Sequence, residues 1–196
     1  QSLVIPASGS VAISGGAHSF GAVDNSAGGS FAFNSGHLEI SGPAGLMIGA
    51  NALLGANVAL SDNRQLSVTN AVTVDAAAQL DVQGRSFSAG SLVNNGLVGG
   101  DGRIDAPLAN NAGGQFQIAA GDRLTVAGAG SVNQGTISID AGAAVFQQDL
   151  VNSGAINLQG GTLLVDGGLT NQGDLVAGGS SNLGGNLHNA ASGLVD

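Results

Sequence analysis

Along most of this chain, apolar residues alternate with residues of any other kind over three positions. This is the pattern of a short β-strand, in which every second side chain faces a core. Gly-rich or polar breaks separate the triplets, as at 99–102 and 160–161. No window carries the i, i+3, i+4 and i+7 pattern of a helix, so we expect almost no helix. The alternating pairs are Val11/Ile13, Phe31/Phe33, Leu38/Ile40, Leu46/Ile48, Val58/Leu60, Leu66/Val68, Val72/Val74, Leu80/Val82, Leu97/Ile104 around a glycine turn, Phe116/Ile118, Leu124/Val126, Ile137/Ile139, Ile156/Leu158 and Leu163/Val165.

A phrase that recurs six times within this pattern indicates the architecture. Each copy has a bulky apolar residue, one spacer and Asn, usually followed by one or two Gly before the next apolar pair. Successive Asn residues are 17, 22, 19, 19 and 18 positions apart. Periods near 20 without helical patterning are typical of stacked β-coils, in which each coil buries its apolar face against its neighbours. The Asn residues are Asn94, Asn111, Asn133, Asn152, Asn171 and Asn189.

The repeat predicts an all-β fold, a parallel β-helix or β-solenoid of about ten coils of roughly 19 residues. At about 4.8 Å per layer, the stack would be on the order of 50 Å long. No linker divides the chain, so we expect a single domain over 1–196. Residues 1–60 repeat less cleanly and would form irregular coils or a cap, whereas 61–196 would form regular repeats.

The stacked Asn residues have two interpretations. At a coil corner, Asn tolerates a left-handed backbone, and its amide would bond the neighbours above and below it and satisfy turn groups. Gly135, Gly154 and Gly173 follow the phrase where we expect a positive φ, which favours this structural interpretation. The alternative is a row of Asn side chains that binds a ligand.

Composition narrows the classes of partner. Hydrophobic residues make up 43% of the chain, which argues against disorder, while charged residues make up only 9%. The net charge is −9, with four Arg and no Lys, so neither nucleic acid nor an anionic lipid surface is an expected partner. No apolar stretch approaches the length of a membrane helix, so we expect no membrane insertion. The absence of Cys excludes disulfides and thiolate metal sites and is compatible with an extracellular protein.

All four cations recur at nearly the coil period, which predicts an Arg row on one face. Asp62, Asp101 and Asp122 lie one or two residues before three of these cations, so the row would mix Asp and Arg. One interpretation is a screened surface network of ion pairs. The other is a groove for anionic or hydroxylated sugars, since Arg binds carboxylates with two parallel hydrogen bonds. The cations are Arg64, Arg85, Arg103 and Arg123.

Catalytic, metal and cofactor sites are not predicted. Segment 99–105 resembles one copy of a calcium-binding nonapeptide, but Ile104 stands where Asp is required and the motif does not recur. His18, His37 and His188 lie more than a coil apart and show no zinc spacing or Ser–His–Asp signature. The Thr residues form no double row of the kind that ice binding would need. We expect a protein that is not an enzyme.

Segments 92–97, 150–156 and 169–175 resemble the roughly 19-residue repeats of filamentous-haemagglutinin-type exoproteins. The stretch 96–169 is also similar to repeats of autotransporter passengers and of anchored bacterial surface proteins. The resemblance covers about 60–196. It implies a right-handed parallel β-helix that is secreted or on a bacterial cell surface and is adhesive or structural.

The expected function is therefore that of a non-enzymatic extracellular β-solenoid, as a surface stalk, adhesin segment or matrix filament subunit. The alternative is a carbohydrate-binding or carbohydrate-active β-helix, for which Asp101, Arg103 and Asp105 are the nearest approach to a clustered site. Expected partners are host or matrix glycans and proteins, or other copies of the chain stacked head to tail. Strand-like patterning reaches both 3–5 and 187–195, so either copies stack end to end or the parent chain continues past Asp196.

Overall fold

The fold is a β-solenoid. The computed structural model describes residues 1–190 and 192–196, with the backbone alone at Arg85 and Ser86. All regular secondary structure in these residues is β-strand, and the described chain contains no helix. The strands pair in parallel between successive layers and make about ten coils. The predicted fold class is confirmed.

Twenty-three strands form three sheets. Parallel strands of this kind require each strand to pair with one a full coil away. In chain order the strands are β1 (Ser2–Val4), β2 (Ser10–Phe20), β3 (Ala22–Asp24), β4 (Ser30–Ile40), β5 (Leu46–Ile48), β6 (Asn57–Leu60), β7 (Arg64–Val74), β8 (Gln79–Val82), β9 (Gly84–Asn94), β10 (Leu97–Gly99), β11 (Gly102–Asp105), β12 (Leu108–Asn110), β13 (Gln115–Ile118), β14 (Arg123–Val126), β15 (Ser131–Asn133), β16 (Thr136–Asp140), β17 (Ala143–Phe146), β18 (Leu150–Asn152), β19 (Ala155–Gln159), β20 (Thr162–Asn171), β21 (Asp174–Gly178), β22 (Asn182–Asn189) and β23 (Leu194–Val195).

Each regular coil has three faces. The first face is the eight-stranded sheet of β6, β8, β10, β13, β16, β19, β21 and β23. The thirteen-stranded sheet supplies the other two, with β11, β14 and β17 on the second face and β12, β15 and β18 on the third. The long strands β7, β9 and β20 turn the corner between them, because each pairs with strands of both faces.

Inward-facing side chains stack in rows that form one core. The row behind the first face is in register from coil to coil, and its members are at most 1% exposed. Val98 holds the core position in β10, so the predicted inward residue Leu97 is wrong. Phe116 packs on Phe146 of the second face, with ring centroids 5.9 Å apart. The row consists of Val58, Leu80, Val98, Phe116, Ile137, Ile156 and Leu175.

The stack is interrupted within residues 1–60, where 30–33 of β4 does not pair with β6 and the third face is also broken. On the third face, β3 pairs with β1 and β5 pairs with β7, but β3 and β5 do not pair with each other. The second face continues past this point, because 36–40 of β4 pairs with 64–68 of β7. An eight-residue connection, 49–56, follows β5, whereas later coils turn the same corner in two to four residues, as at 134–135 and 75–78. The neighbouring coils therefore separate on one side.

Candidate functional site

The stacked Asn side chains form a hydrogen-bonded row inside the corner between the third and first faces. Each Nδ2 donates to the Oδ1 of the Asn one coil further along, at 2.6–2.8 Å. The same Nδ2 also donates to a backbone carbonyl of that next coil, as Asn133 does to Ala155 at 3.1 Å. The first five members are 0% exposed, which removes them from contact with any ligand in solution. We call this row the Asn ladder; its members are Asn94, Asn110, Asn133, Asn152, Asn171 and Asn189.

One predicted member of the ladder, Asn111, is wrong. Asn110 occupies its place, and Asn111 instead donates from Nδ2 to Asn95 Oδ1 at 2.8 Å, outside the row. Strand residues 108–110 pair one by one with 92–94, which places Asn110 over Asn94. The intervals along the ladder are therefore 16, 23, 19, 19 and 18 residues.

The backbone around the ladder also differs from the expectation. None of the ladder Asn residues has a positive φ, and neither Gly135, Gly154 nor Gly173 has one. Glycine is required here by space, because a Cβ on Gly154 would collide with Gly135 O and one on Gly173 with Gly154 O. The chain passes so close to the preceding coil that only hydrogen fits at these positions.

The predicted Arg row does not form a ladder of ion pairs in the described side chains. Backbone pairing sets Arg103 beside Thr125 and Arg123 beside Ala143, so these two guanidinium groups are not stacked in register. The spacing of 20 residues between them falls short of the interval of 22 residues at which β11 pairs with β14. Asp101 accepts a hydrogen bond from the backbone N–H of Arg123 at 3.0 Å, and Asp122 is half-buried. The Arg85 side chain lies outside the described part of the structure.

Arg64 has a structural role instead. Its guanidinium lies 5.2 Å from the centre of the Phe33 ring, and its Nη1 donates to Ala59 O at 2.8 Å. Its Nε is buried without a hydrogen-bond partner. Burial lowers the pKa of this guanidinium from its ordinary value, although Arg remains charged at neutral pH. A cation held in this way is not presented to a ligand.

A polar strip on the outer surface of the second face brings together the most chemically active side chains. Its residues are in register across five neighbouring strands. His37 lies beside it, with Nε2 at 2.8 Å from Ser67 Oγ, and the Ser88 hydroxyl donates to Ser67 Oγ at 3.0 Å. Arg103 Nε and Asp105 Oδ1 form an ion pair at 2.6 Å, with exposed fractions of 34% and 51%. The polar strip consists of Ser19, Glu39, Ser67, Ser88 and Asp105.

Sequence reasoning identified Arg103 and Asp105 but missed His37, Ser67 and Ser88. The coil period does not reveal this contact, because the long connection 49–56 places His37 and Ser67 30 residues apart. A shallow depression of ≈130 Å³ is lined by His37, Ser67, Ser88 and Asp105. Ligand pockets hold about 300–1,000 Å³, so the strip would contact a ligand laid across it rather than enclose one.

The polar strip has hydrogen-bonding chemistry but lacks the arrangement of a hydrolase. Ser67 lies in mid-strand with β4 and β9 paired on either side, so its own N–H belongs to the sheet and cannot stabilise an oxyanion. Glu39 and Asp105 are three strand steps apart, or about 14 Å. Paired carboxylates that cleave glycosidic bonds are separated by about 5–9.5 Å.

Metal and membrane features were sought across the described residues. No group of three or more His, Cys, Asp or Glu there is placed to hold a metal ion. The same residues include no helix with the length and apolar character needed to cross a membrane.

Comparisons with known proteins found no relative of this chain. No protein-family model matches it, no curated protein matches it, and no solved structure matches it.

Proposed function

We propose that this protein is a non-enzymatic extracellular rod, structural or adhesive, whose coils stack end to end with those of another copy. The observation that carries the proposal is the state of the core rows at the ends of the stack. Leu187 and Val195 continue inward rows, and they are 40% and 46% exposed. At the other end Val11 stacks on Phe31 and is only half-buried.

The strands that the structure describes at the two ends of the stack have unpaired edges, and these edges determine how two copies would meet. A layer added to β22 and β23 would receive main-chain hydrogen bonds and cover Leu187 and Val195 at once. The patch that meets it on another copy is the opposite end of the stack, so the contact is heterologous and does not close. Repetition of such a contact produces a filament.

The surface chemistry is consistent with an extracellular location on or around a bacterial cell. The chain has no Cys that would depend on redox conditions, and it carries four cations against 13 acids. The resemblance of its repeats to surface exoproteins supports the same location. Cell-surface or matrix glycans and proteins are the expected partners of the rod's sides.

Sedimentation velocity and negative-stain imaging over about 1 µM to 1 mM test the stacking. We expect filaments whose length increases with concentration. The double substitution Leu187→Asp, Val195→Asp should abolish them by placing charge in the end contact, whereas Val176→Asp, also at a 40% exposed apolar residue, should not. A species that is monomeric throughout this range would contradict the proposal.

A second candidate function is sugar binding by the polar strip. The observation that favours it is that hydroxyl, imidazole, carboxylate and guanidinium groups lie together along one face. These groups can form hydrogen bonds with a polyhydroxylated chain laid across them. A glycan array probed with wild-type protein, Arg103→Ala and His37→Ala tests it. We expect binding that both variants weaken at least tenfold, with Gln172→Ala on another face as the unaffected control. Equal signals for all four proteins would exclude this function.

A further inference from the structure

The interruption of the third face opens a cleft between β3 and β5. Ser41 N–H still donates to Phe20 O at 2.9 Å, and Gly42 lies directly over Gly21, so the two coils are in close contact at the corner. Beyond it the strands diverge, since no backbone pairing joins 22–24 to 46–48. The resulting space has a volume of ≈310 Å³.

Each strand presents one unpaired edge to the cleft. Ile5 N–H donates to Asp24 O, which directs the Asp24 carbonyl toward β1, and Asp75 N–H donates to Ile48 O, which directs that carbonyl toward β7. Backbone groups of adjacent residues in a strand point to opposite sides. The N–H and C=O groups of Val23 and Met47 therefore face the cleft.

The lining is apolar and uncharged. Its side chains are aliphatic apart from two amides, Asn25 and Asn51, and it includes no Asp, Glu, Arg or His. Met47 is 53% exposed at its edge, and an unbranched thioether side chain adapts to irregular partners. The volume is at the lower limit of ligand pockets and would accommodate about two or three residues of an extended chain.

From these features we propose that the cleft binds an uncharged, apolar peptide segment in extended conformation, as a strand added to the edge of β3 or β5. Main-chain hydrogen bonds to Val23 or Met47 hold the segment, and alternate side chains enter the apolar cleft. An ionised group would lose its hydration there without gaining an opposite charge, so charged segments are excluded. This site is independent of the polar strip and of the ends of the stack.

The test uses the intact protein and a capped pentapeptide of alternating Thr and Val, compared with the same peptide N-methylated at both Val residues. Amide NMR spectra should shift at 21–25 and 45–48, and hydrogen exchange at the Val23 or Met47 amide should slow. N-methylation removes the N–H donors of the two Val residues, which lie on one edge of the peptide, and keeps its apolar side chains, so it should weaken binding at least tenfold.

Substitutions of opposite charge at Met47 test whether the cleft excludes charge, and a substitution on another face is the control. Met47→Asp and Met47→Lys should each weaken binding at least tenfold, and because the side chain is exposed their spectra should remain folded. Val176→Asp lies on the first face and should leave affinity within about twofold. Equal binding of both peptides, shifts centred elsewhere, or no shift at about 5 mM peptide would overturn the proposal.

Discussion

At the scale of single residues, the Asn ladder satisfies the hydrogen bonds of polar side chains that are buried in an apolar stack. Each ladder amide is buried, and both its oxygen and its nitrogen have partners on neighbouring coils. An unpaired buried polar group costs about 1–3 kcal/mol, so the row stabilises the fold only when it is continuous. One substitution affects two neighbours as well as itself.

Asn152→Ala is expected to lower the free energy of unfolding by about 2–4 kcal/mol, because it leaves Asn133 without its acceptor and Asn171 without its donor. Chemical denaturation measures the change. Gln172→Ala, at the exposed residue beside Asn171, should shift stability by less than about 0.5 kcal/mol. Equal effects of the two substitutions would show that the ladder does not contribute.

Two glycines separate the effect of space from that of backbone conformation. Gly154→Ala places a methyl group against Gly135 O and should destabilise the protein by about 3 kcal/mol. Gly113→Ala, where φ is 89° and the surroundings are open, should cost only about 1 kcal/mol. Thermal unfolding of both variants tests this order, and the reverse order would contradict the close approach of the coils.

At the scale of elements, each strand depends on the strands one coil before and after it. In β19, Leu158 faces the core and Asn157 faces solvent, and both pair in register with β16 and β21. Contacts in a solenoid are confined to neighbouring coils, so damage to one strand need not reach distant ones.

Leu158→Asp should therefore unfold the coils around β16, β19 and β21, because the charge would have neither solvent nor a partner. Hydrogen exchange should become fast across 136–178 while 64–94 stays protected. Asn157→Asp, one residue away on the outer surface, should leave protection unchanged. Protection of 136–178 in Leu158→Asp like that of the wild type would show that this side chain does not face the core.

The elements themselves were predictable from sequence because apolar alternation is a direct consequence of strand geometry, as Ile137 and Ile139 illustrate. The register between strands of successive coils was harder to predict from the sequence. Either of the consecutive residues Asn110 and Asn111 could belong to the ladder, and only the pairing of Asn110 with Asn94 decides between them. The expected Arg row did not stack in register because β11 and β14 pair at an interval of 22 residues, whereas Arg103 and Arg123 are 20 residues apart. The contact between His37 and Ser67 depends on an irregular connection that no period describes.

At the scale of the whole molecule, charge opposes compactness and association. The net charge is −9, and the side chains that the structure describes form a single ion pair, Arg103–Asp105. Exposed acids repel one another over about 10 Å at 0.1 M salt and are screened at higher ionic strength. Neither folding nor stacking gains from long-range electrostatics here.

Raising NaCl from about 0.02 to 0.5 M should increase the free energy of unfolding by about 1 kcal/mol through screening alone. Urea denaturation at each salt concentration measures it. The double substitution Asp166→Asn, Asp174→Asn removes two exposed acids and should reduce the salt dependence. A loss of stability with added NaCl would contradict net repulsion.

The regular spacing of the Asn ladder also governs how a rod of this kind can change its length. Asn133, Asn152 and Asn171 are each 19 residues apart, so segments 134–152 and 153–171 begin and end at equivalent points. Excising or duplicating one such segment would return every remaining strand to an equivalent partner, and the stack would change by one layer of about 4.8 Å. A single residue added within a strand would turn the inward side chains after it outward, whereas turns absorb the differences among ladder intervals of 16 to 23 residues. Rod length is therefore quantised in whole coils, and insertions or deletions of one coil are the smallest steps by which such a chain can grow or shorten without refolding.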